Sequence, residues 1–361
     1  MRALSRDALA VAAQPFGILA DGAQVDLYTL RRGGGVEVGI LTYGGIVQSL
    51  LVPDRTGRVA NVVLGFPELS DYVAAGSLYL GAIVGRYANR ISGGRFSLDE
   101  RTHQLARNEG RNHLHGGHLG FDKKVWRART RQSDTEVGVV VRHSSPDGDE
   151  GYPGALEIEV AYSLTRDDVL RVAYRAVATR PTIVSLTNHS LFNLAGEGVG
   201  DVLAHLLEID ADAYTPVDSD LIPTGELAQV RETPFDFRRP ATIGSRIHVG
   251  DPQLVIAGGY DHNFVLNERG GLLQPAARLT DRASGRSLEV RTTEPGLQIY
   301  TGNRLDGTRT GTSGRPYERF AGVALETQRF PDSPNQSHFP SSVLRPGMTY
   351  RSATELHFGL V

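Results

Sequence analysis

The stretch LEIEVAYSLTRDDVLRVAYRAVA, residues 156–178, decides the fold class, because apolar side chains alternate with polar or small ones on both sides of a polar segment. A period of two places successive side chains on opposite faces of a β-strand. The intervening segment TRDD, residues 165–168, contains residue types that are typical of tight reversals. The pattern therefore predicts strands at 156–165 and 169–178.

The same alternation recurs along the 361 residues, whereas long amphipathic helical patterns are missing. Further strands are predicted at 36–52, 137–144, 182–195, 287–301, 322–330 and 349–358. Only 4–12 and 67–75 resemble helices, and both are short. With 42 Gly and 18 Pro between short strands, we predict an all-β sandwich or barrel made mostly of antiparallel pairs. No shift of composition divides the chain, so 1–361 is predicted to be one domain, with its core at about 20–360.

The composition excludes several classes of function. Basic and acidic residues, 38 and 41 in number, are spread along the chain, so no basic stripe is available for nucleic acid or an anionic membrane. No run approaches the roughly 18 apolar residues of a membrane-spanning helix, and the N-terminus resembles a signal peptide poorly. The chain has no cysteine, which excludes disulfides and thiolate metal sites. We expect a cytoplasmic protein with a small, uncharged or weakly charged substrate.

Two predicted strands carry ionisable residues opposite their apolar faces. If 183–194 is a strand, His189 lies on the polar face. In the strand at 322–330, Val323 and Leu325 share one face, and Glu326 points the other way. Each residue also has an ordinary interpretation: His189 as a surface histidine, and Glu326 as an exposed glutamate of a strand. Neighbouring apolar residues favour a partly desolvated Glu326, which raises the pKa of a carboxyl group.

Other polar residues are candidates for ligand binding. Gln298 is predicted on the same side of its strand as Tyr300, and Asp261 precedes a short apolar run, where it is equally typical of a turn. The segment VGRYANRISGGRF, residues 84–96, combines arginines and asparagine, whose planar donors suit sugar oxygens. A solvated basic loop explains that segment equally well.

Three histidines, His113, His115 and His118, lie within RNHLHGGHLGFDKK, residues 111–124. His113 and His115 share a face if this segment is extended, which suggests a metal pair. No acidic or cysteine residue lies at ligand spacing, so the pattern disfavours a metal site.

Seven segments together resemble the aldose 1-epimerases, also called galactose mutarotases, in the order found in that family. They are GRYANRISGGRF, LHGGHLGFDKKVW, SPDGDEGYPG, TNHSLFNLAG, GGYDHNFVL, PGLQIYTGN and ALETQRFPDSPN. The resemblance extends over about residues 36–358. It implies a large antiparallel β-sandwich with an open sugar-binding cleft. It also implies interconversion of the α and β anomers of free aldohexoses, such as glucose and galactose, without metal, nucleotide or other cofactor.

The resemblance also implies residue roles. Glu326 corresponds to the general base and His189 to the general acid, so an ionised Glu326 and a protonated His189 are expected. Residues that correspond to sugar-binding positions are Asn89, Arg90, His115, Asp261 and Gln298. Asp261 is further expected to help keep a nearby imidazole protonated. His113 and His118 then shape the loop around His115.

Departures from the family pattern occur at Leu191 and His357, where aromatic residues are frequent, and they leave the sugar preference open.

Three alternatives to an epimerase of free sugars are a glycoside hydrolase using Glu326 and Asp261, a non-catalytic carbohydrate-binding protein, and a hexose-phosphate epimerase. The last needs a basic cluster, for which only Arg86 and Arg95 are candidates. A histidine acid paired with one glutamate favours the epimerase. We expect a monomer or homodimer.

Overall fold

The computed structural model describes residues 8–267 and 271–361. The first fourteen strands are β1 (Leu9–Ile18), β2 (Gln24–Arg32), β3 (Glu37–Leu41), β4 (Val47–Pro53), β5 (Val59–Asn61), β6 (Ile83–Val84), β7 (Arg90–Ile91), β8 (Arg95–Leu98), β9 (Arg101–Gln104), β10 (His113–Leu114), β11 (Arg127–Gln132), β12 (Glu136–Ser145), β13 (Leu156–Thr165) and β14 (Val169–Ala178). They are followed by β15 (Thr182–Ile183), β16 (Thr187–Asn188), β17 (Leu191–Phe192), β18 (Leu206–Ile209), β19 (Ala211–Thr215), β20 (Ala228–Gln229), β21 (Ala241–Thr242), β22 (Asp261–Leu266), β23 (Gln274–Thr280), β24 (Arg286–Thr292), β25 (Gly296–Tyr300), β26 (Val323–Gln328), β27 (Val343–Leu344) and β28 (Tyr350–Leu360).

Helices are few and short. The two α-helices are α1 (Leu69–Ala74) and α2 (Pro252–Ala257), and single 3-10 turns occur at Ser92–Gly94, Phe121–Lys123, Asp149–Gly151, Ile243–Ser245 and Ser333–Asn335. None of the helices in the described ranges has the length and apolarity that crossing a membrane requires. The helix predicted at 67–75 is confirmed by α1. The helix predicted at 4–12 is wrong from Leu9 onward, where β1 begins, and residues 1–7 lie outside the described residues.

Three antiparallel sheets form the body of the molecule, which confirms the predicted sandwich class. The largest has nine strands in the order β11-β12-β13-β14-β28-β24-β23-β18-β21. A six-stranded sheet has the order β17-β26-β25-β22-β19-β20, and a five-stranded sheet runs from β1 to β5 in sequence order. Side chains from all three sheets, such as Val160, Ile299 and Leu50, join one hydrophobic core.

The strand pair predicted from residues 156–178 is confirmed with its bounds. β13 and β14 pair antiparallel, from Leu156 opposite Ala178 to Leu164 opposite Leu170. The hydroxyl of Thr165 accepts hydrogen bonds from the backbone N–H groups of Asp167 and Val169, so the polar segment closes its own turn.

The six-stranded sheet positions the site, because its two faces have different chemistry. Val323, Leu325 and Leu297 belong to the core on one face. On the other face, Glu326 of β26 lies directly opposite Gln298 of β25. The predicted division of faces in 322–330 is therefore confirmed.

The single strand predicted at 182–195 is wrong. This segment forms three two-residue strands with different partners, since β15 pairs with β27, β16 with β6 and β17 with β26. Next to the break, the Asn188 amide donates to the carbonyl oxygen of Gly81 at 2.7 Å. The Asn188 side-chain oxygen accepts from the N–H and hydroxyl of Ser190. These local bonds replace ladder partners and turn the chain beside His189.

Two other long predicted strands divide. Residues 36–52 form β3 and β4, because Gly44 and Gly45 adopt positive φ values of 64° and 56° and turn the chain between them. Residues 287–301 form β24 in the nine-stranded sheet and β25 in the six-stranded sheet. The chain therefore crosses from one sheet to the other within this run.

We expect Gly116→Ala to destabilise the protein by about 2–4 kcal/mol, combining left-handed backbone strain with overpacking. Gly116 has φ +90°, and a Cβ there would lie 1.8 Å from the carbonyl oxygen of Gly85. Gly110 is the matched control, since its φ is +57° but a Cβ added there would meet no atom within 4 Å. Gly110→Ala should cost only about 1 kcal/mol. Equal urea midpoints for the two variants would contradict the close packing.

Candidate active site

A cavity of about 340 Å³ opens on the polar face of the six-stranded sheet. Six of the seven predicted site residues line it: Asn89, Arg90, His115, His189, Asp261 and Glu326. They come from segments far apart in the chain, and Tyr79 and Tyr300 are among the other residues that line the cavity. A volume of this order suits a small-molecule ligand.

Glu326 and His189 form the centre of the cavity. Glu326 is 2% exposed and His189 is 5% exposed. Glu326 Oε1 lies 3.6 Å from His189 Nε2. The backbone of His189 is held by hydrogen bonds with Ala82 and Gly81, which fixes the start of its side chain. Glu326 Oε2 and His189 Nδ1 have no protein hydrogen-bond partner.

Burial controls the protonation of this pair. It raises the pKa of the Glu326 carboxyl well above its usual value, the charge of Asp261 raises it further, and Arg90 opposes both. Burial lowers the pKa of His189 to about 4. In the protein alone, these shifts favour a protonated Glu326 beside a neutral His189. That is the reverse of the proton distribution expected from the sequence, although the pair still holds one proton.

Asp261 and Gln298 act together, but only Asp261 lines the cavity. The Gln298 amide donates to Asp261 Oδ1 at 2.7 Å, so Gln298 holds the carboxyl group from behind. Burial raises the pKa of Asp261, although Arg90 and Gln298 work against that shift. Asp261 acts on the pKa of Glu326, and the pKa of His189 is set by burial instead. The expectation that Asp261 keeps an imidazole protonated is not supported by this geometry.

Arg90 is held by Glu109, a residue that was not predicted from the sequence. Arg90 Nε and Nη2 donate to the two Glu109 oxygens at 2.6 and 2.7 Å. Arg304, which also lines the cavity, donates to Glu109 at 3.2 Å. Burial alone would raise the pKa of Glu109, but hydrogen bonds and charges from the two arginines lower it below its usual value. Glu109 lies in a polar loop whose sequence gives no signal of this role.

His115 is fixed in one tautomer by Asn89. The Asn89 backbone N–H donates to His115 Nδ1 at 3.1 Å, and the His115 backbone N–H donates to the Asn89 carbonyl oxygen. A neutral ring that accepts at Nδ1 carries its proton on Nε2. Burial, followed by the charges of His189, Arg90 and Lys123, lowers the pKa of His115 well below its usual value. His115 is therefore a neutral hydrogen-bond donor.

The same tautomer bears on metal binding. His115, His189 and Glu326 offer ligand atoms within 4.8 Å of one another. A metal ion needs an imidazole nitrogen that carries no proton. Coordination through His115 Nε2 would break the hydrogen bond from Asn89, and Arg90 adds positive charge beside the site. The donor set therefore fits hydrogen bonding to a neutral ligand better than it fits a cation.

The remaining candidates from the sequence lie outside the cavity. His113 Nδ1 donates to the Ala106 carbonyl oxygen and its Nε2 accepts from the Tyr152 hydroxyl, so it supports the loop as expected. His118 is exposed, and its backbone N–H donates to Glu150. Arg86 is buried and donates to Ser145 and to four backbone carbonyl oxygens. Arg95 is exposed.

Fold and site together define an antiparallel sandwich with a buried carboxyl–imidazole pair in a cavity of small-molecule size. The family model described as aldose 1-epimerase matches residues 26–357. Galactose mutarotase from Sus scrofa is 46% identical over 346 residues, covering 96% of this chain and 97% of that protein. Aldose 1-epimerase from Escherichia coli (strain K12) is 42% identical over 343 residues, covering 94% and 96%. This chain belongs to the aldose 1-epimerase family.

A solved structure supports the same assignment. Galactose 1-epimerase from Lactobacillus acidophilus superposes with a TM-score of 0.87 at 30% identity, covering 98% of this chain and 99% of that chain. The antiparallel sandwich predicted from period-two alternation is thus the fold of this family.

We expect Asp261→Asn to lower the pKa of Glu326, because the negative charge at 261 is one of the causes that raise it. Carbon-13 NMR titration of labelled glutamate carboxyl groups measures this directly. Asp306→Asn is the matched control, since Asp306 also lines the cavity but is not among the causes of the Glu326 shift. A Glu326 pKa that stays unchanged in Asp261→Asn would contradict the electrostatic coupling.

Proposed function

We propose that this enzyme is a carbohydrate isomerase that interconverts the α and β anomers of free aldohexoses such as D-glucose and D-galactose. The observation that carries the proposal is the buried Glu326–His189 pair, 3.6 Å apart, in a cavity of about 340 Å³. Opening a hemiacetal ring needs a proton to leave the C1 hydroxyl while another reaches the ring oxygen. A carboxyl and an imidazole that hold one proton between them meet that requirement.

The reaction proceeds by ring opening and closure. Ionised Glu326 takes the proton of the C1 hydroxyl, and protonated His189 gives a proton to the ring oxygen. Rotation about the C1–C2 bond turns the aldehyde, and ring closure with the two roles reversed yields the other anomer. The pair holds one proton at every stage, and the open-chain stage has the distribution that burial favours, protonated Glu326 and neutral His189.

Sugar binding adjusts this balance before ring opening. Hydroxyl groups of the sugar donate hydrogen bonds to the Glu326 carboxylate and favour its charged form, as Arg90 does. Asn89, Arg90, His115 and Asp261 orient the ring through donors and acceptors on the cavity wall. Gln298 contributes by holding Asp261 rather than by lining the cavity. Because the proton transfers need only side chains, we propose that no metal or other cofactor takes part.

The alternatives find less support. Glycoside hydrolysis needs two carboxyl groups as acid and base or nucleophile. Asp261 lies in the same cavity, but one of its oxygens accepts from Gln298, and the ionisable group 3.6 Å from Glu326 is the imidazole of His189. The retention of Glu326 and His189 together disfavours a protein that only binds carbohydrate. A hexose-phosphate epimerase needs free cationic groups, but Arg86 is occupied by buried carbonyl oxygens and Arg95 lies outside the cavity. The arginines that line the cavity have protein partners, since Arg90 and Arg304 donate to Glu109 and Arg309 donates to the Ala74 carbonyl oxygen.

Sugar preference depends on the cavity wall at Leu191. Leu191 lines the cavity, whereas His357 lies in β28 and pairs with Glu355 at 2.9 Å, away from it. The departure at Leu191 is therefore the one that bears on the sugar.

We further propose that the whole chain acts as one domain, since residues from Leu30 to Leu356 share one core. A cytoplasmic location and a monomeric or dimeric state stay predictions.

Glu326→Gln and His189→Ala should each lower the enzymatic rate about 10²- to 10⁴-fold, the usual contribution of one acid or base. The assay dissolves crystalline α-D-glucose or α-D-galactose and follows optical rotation with and without protein. His118→Ala is the control, because His118 is exposed and lies outside the cavity. A wild type without acceleration, or variants with full activity, would overturn the proposal.

The pH profile of kcat/KM should be bell-shaped, because the pair works only with one proton. Below about pH 4, His189 becomes protonated while Glu326 is also protonated, so no base remains. As pH rises through the raised pKa of Glu326, the pair loses its only proton and no acid remains. Polarimetry with the buffer rate subtracted measures both limbs. A kcat/KM that is constant across both limbs of the pH profile would show that Glu326 and His189 do not transfer protons.

A further inference from the structure

The segment GFDKKVW, residues 120–126, contributes no side chain to the cavity, yet it lies directly behind the cavity wall. Asp122 and Lys123 lie in the 3-10 turn Phe121–Lys123. Together with Tyr79 they line a small void on the other side of that wall. Tyr79 lines both the void and the cavity and therefore lies between these two charged residues and the cavity.

Tyr79 contacts both imidazoles of the cavity. Its ring centroid lies 4.6 Å from that of His115 and 5.8 Å from that of His189. The two imidazoles lie 5.2 Å apart and are perpendicular to each other. Tyr79 also has a φ of +52°, a left-handed conformation that a bulky residue adopts only where its surroundings enforce it. The position of this ring thus helps to set the position of both imidazoles.

Lys123 and Asp122 hold the ring from behind. Lys123 Nζ lies 5.1 Å from the Tyr79 ring centroid, which is the geometry of a cation–π contact. The same ammonium donates to Asp122 Oδ2 at 2.5 Å. Asp122 is 3% exposed and Lys123 is 24% exposed, so solvent weakens these contacts little. The stem of Lys123 is confined as well, because a Cβ at Gly76 would lie 3.2 Å from Lys123 Cε.

We propose that Lys123 is a positioning residue for the proton-transfer machinery: held by Asp122, it fixes the Tyr79 ring, which in turn fixes the imidazoles of His115 and His189. This inference rests on the proposed function, because it assigns a purpose to residues behind the same site. Lys123 itself touches no reacting atom. Its loss should therefore lower the rate of proton transfer more than the binding of the sugar.

A purely structural role for Lys123 predicts a different result. If the Asp122–Lys123 pair only stabilised the turn, its loss would lower thermal stability and leave the folded fraction fully active. The split between kcat and KM, and rescue by another cation, distinguish the two roles.

Lys123→Met removes the charge and keeps most of the stem, and we expect kcat to fall roughly 2- to 30-fold, the range of a partly desolvated cation–π contact. KM should change less than twofold. Lys123→Arg should restore most of kcat, because it returns a cation over the ring. Lys124→Met is the matched control, since the neighbouring Lys124 lies 3.9 Å from Asp149 and does not line the void or the cavity. Polarimetry at several sugar concentrations gives both constants.

Asp122→Asn provides a second variant if Lys123→Met folds poorly, and it should reproduce the kcat loss with a smaller magnitude. Equal kcat in wild type, Lys123→Met and Asp122→Asn would overturn the proposal. So would a loss in Lys123→Met that Lys123→Arg does not restore.

A readout without activity separates this proposal from the proposed function. The NMR resonances of the His115 and His189 ring protons can be assigned with variants in which one histidine at a time is replaced. These resonances should shift in Lys123→Met and stay unchanged in Lys124→Met, because the adjacent Tyr79 ring moves only in Lys123→Met. Such shifts in a wild type that does not accelerate mutarotation would preserve the positioning role and overturn the proposed function. Unshifted histidines in Lys123→Met would overturn the positioning role, whatever the activity of the wild type.

Discussion

The structure of the site depends on the carboxyl group of Glu326 and the imidazole of His189, which are both buried and lie 3.6 Å apart. A buried charge is costly unless it is paired and hydrogen-bonded. Glu326 Oε2 and His189 Nδ1 have no protein partner, so neither group is stabilised strongly in its charged form. Burial and the charge of Asp261 raise the pKa of Glu326 and Arg90 opposes both, so the protonated form of the carboxyl is favoured. In the proposed reaction, one proton moves between these two groups through the sugar.

The architecture holds this pair still by fixing the residues around it. The six-stranded sheet places Glu326 and Gln298 opposite each other, and Gln298 holds Asp261. Glu109 holds Arg90 with two short hydrogen bonds. Because such partners are already in place before a ligand arrives, little reorganisation is needed when charge develops on the sugar.

Much of the fold follows from local sequence pattern, and much of the site does not. The alternation at 156–178 was sufficient to predict β13 and β14 with their bounds, because one face of each strand is buried. It failed at 182–195, where the Asn188 side chain replaces ladder partners. The alternation also predicted one strand at 287–301, where the chain crosses from the nine-stranded to the six-stranded sheet, because a period of two does not indicate to which sheet a strand belongs.

The site shows a similar division. The resemblance of short motifs identified six residues that line the cavity, but not Tyr79 or Arg304, which line it as well. It placed Gln298 among the sugar-binding positions, whereas the Gln298 amide donates to Asp261, and it missed Glu109, which accepts from Arg90. Such contacts join positions far apart in the chain, and the pattern around either residue alone contains no trace of them. The protonation of Glu326 and His189 likewise depends on burial, which follows only from the packed sheets.

The most direct test of the shared proton is an NMR pH titration of the pair itself, with labelled imidazole nitrogens and glutamate carboxyl carbons in the protein without sugar. The shifts of His189 and Glu326 report how many protons the two groups hold. Between the lowered pKa of His189 and the raised pKa of Glu326, we expect one proton, with a neutral His189 and a protonated Glu326. A pair that holds no proton, or two, would contradict the proposed exchange of roles between acid and base.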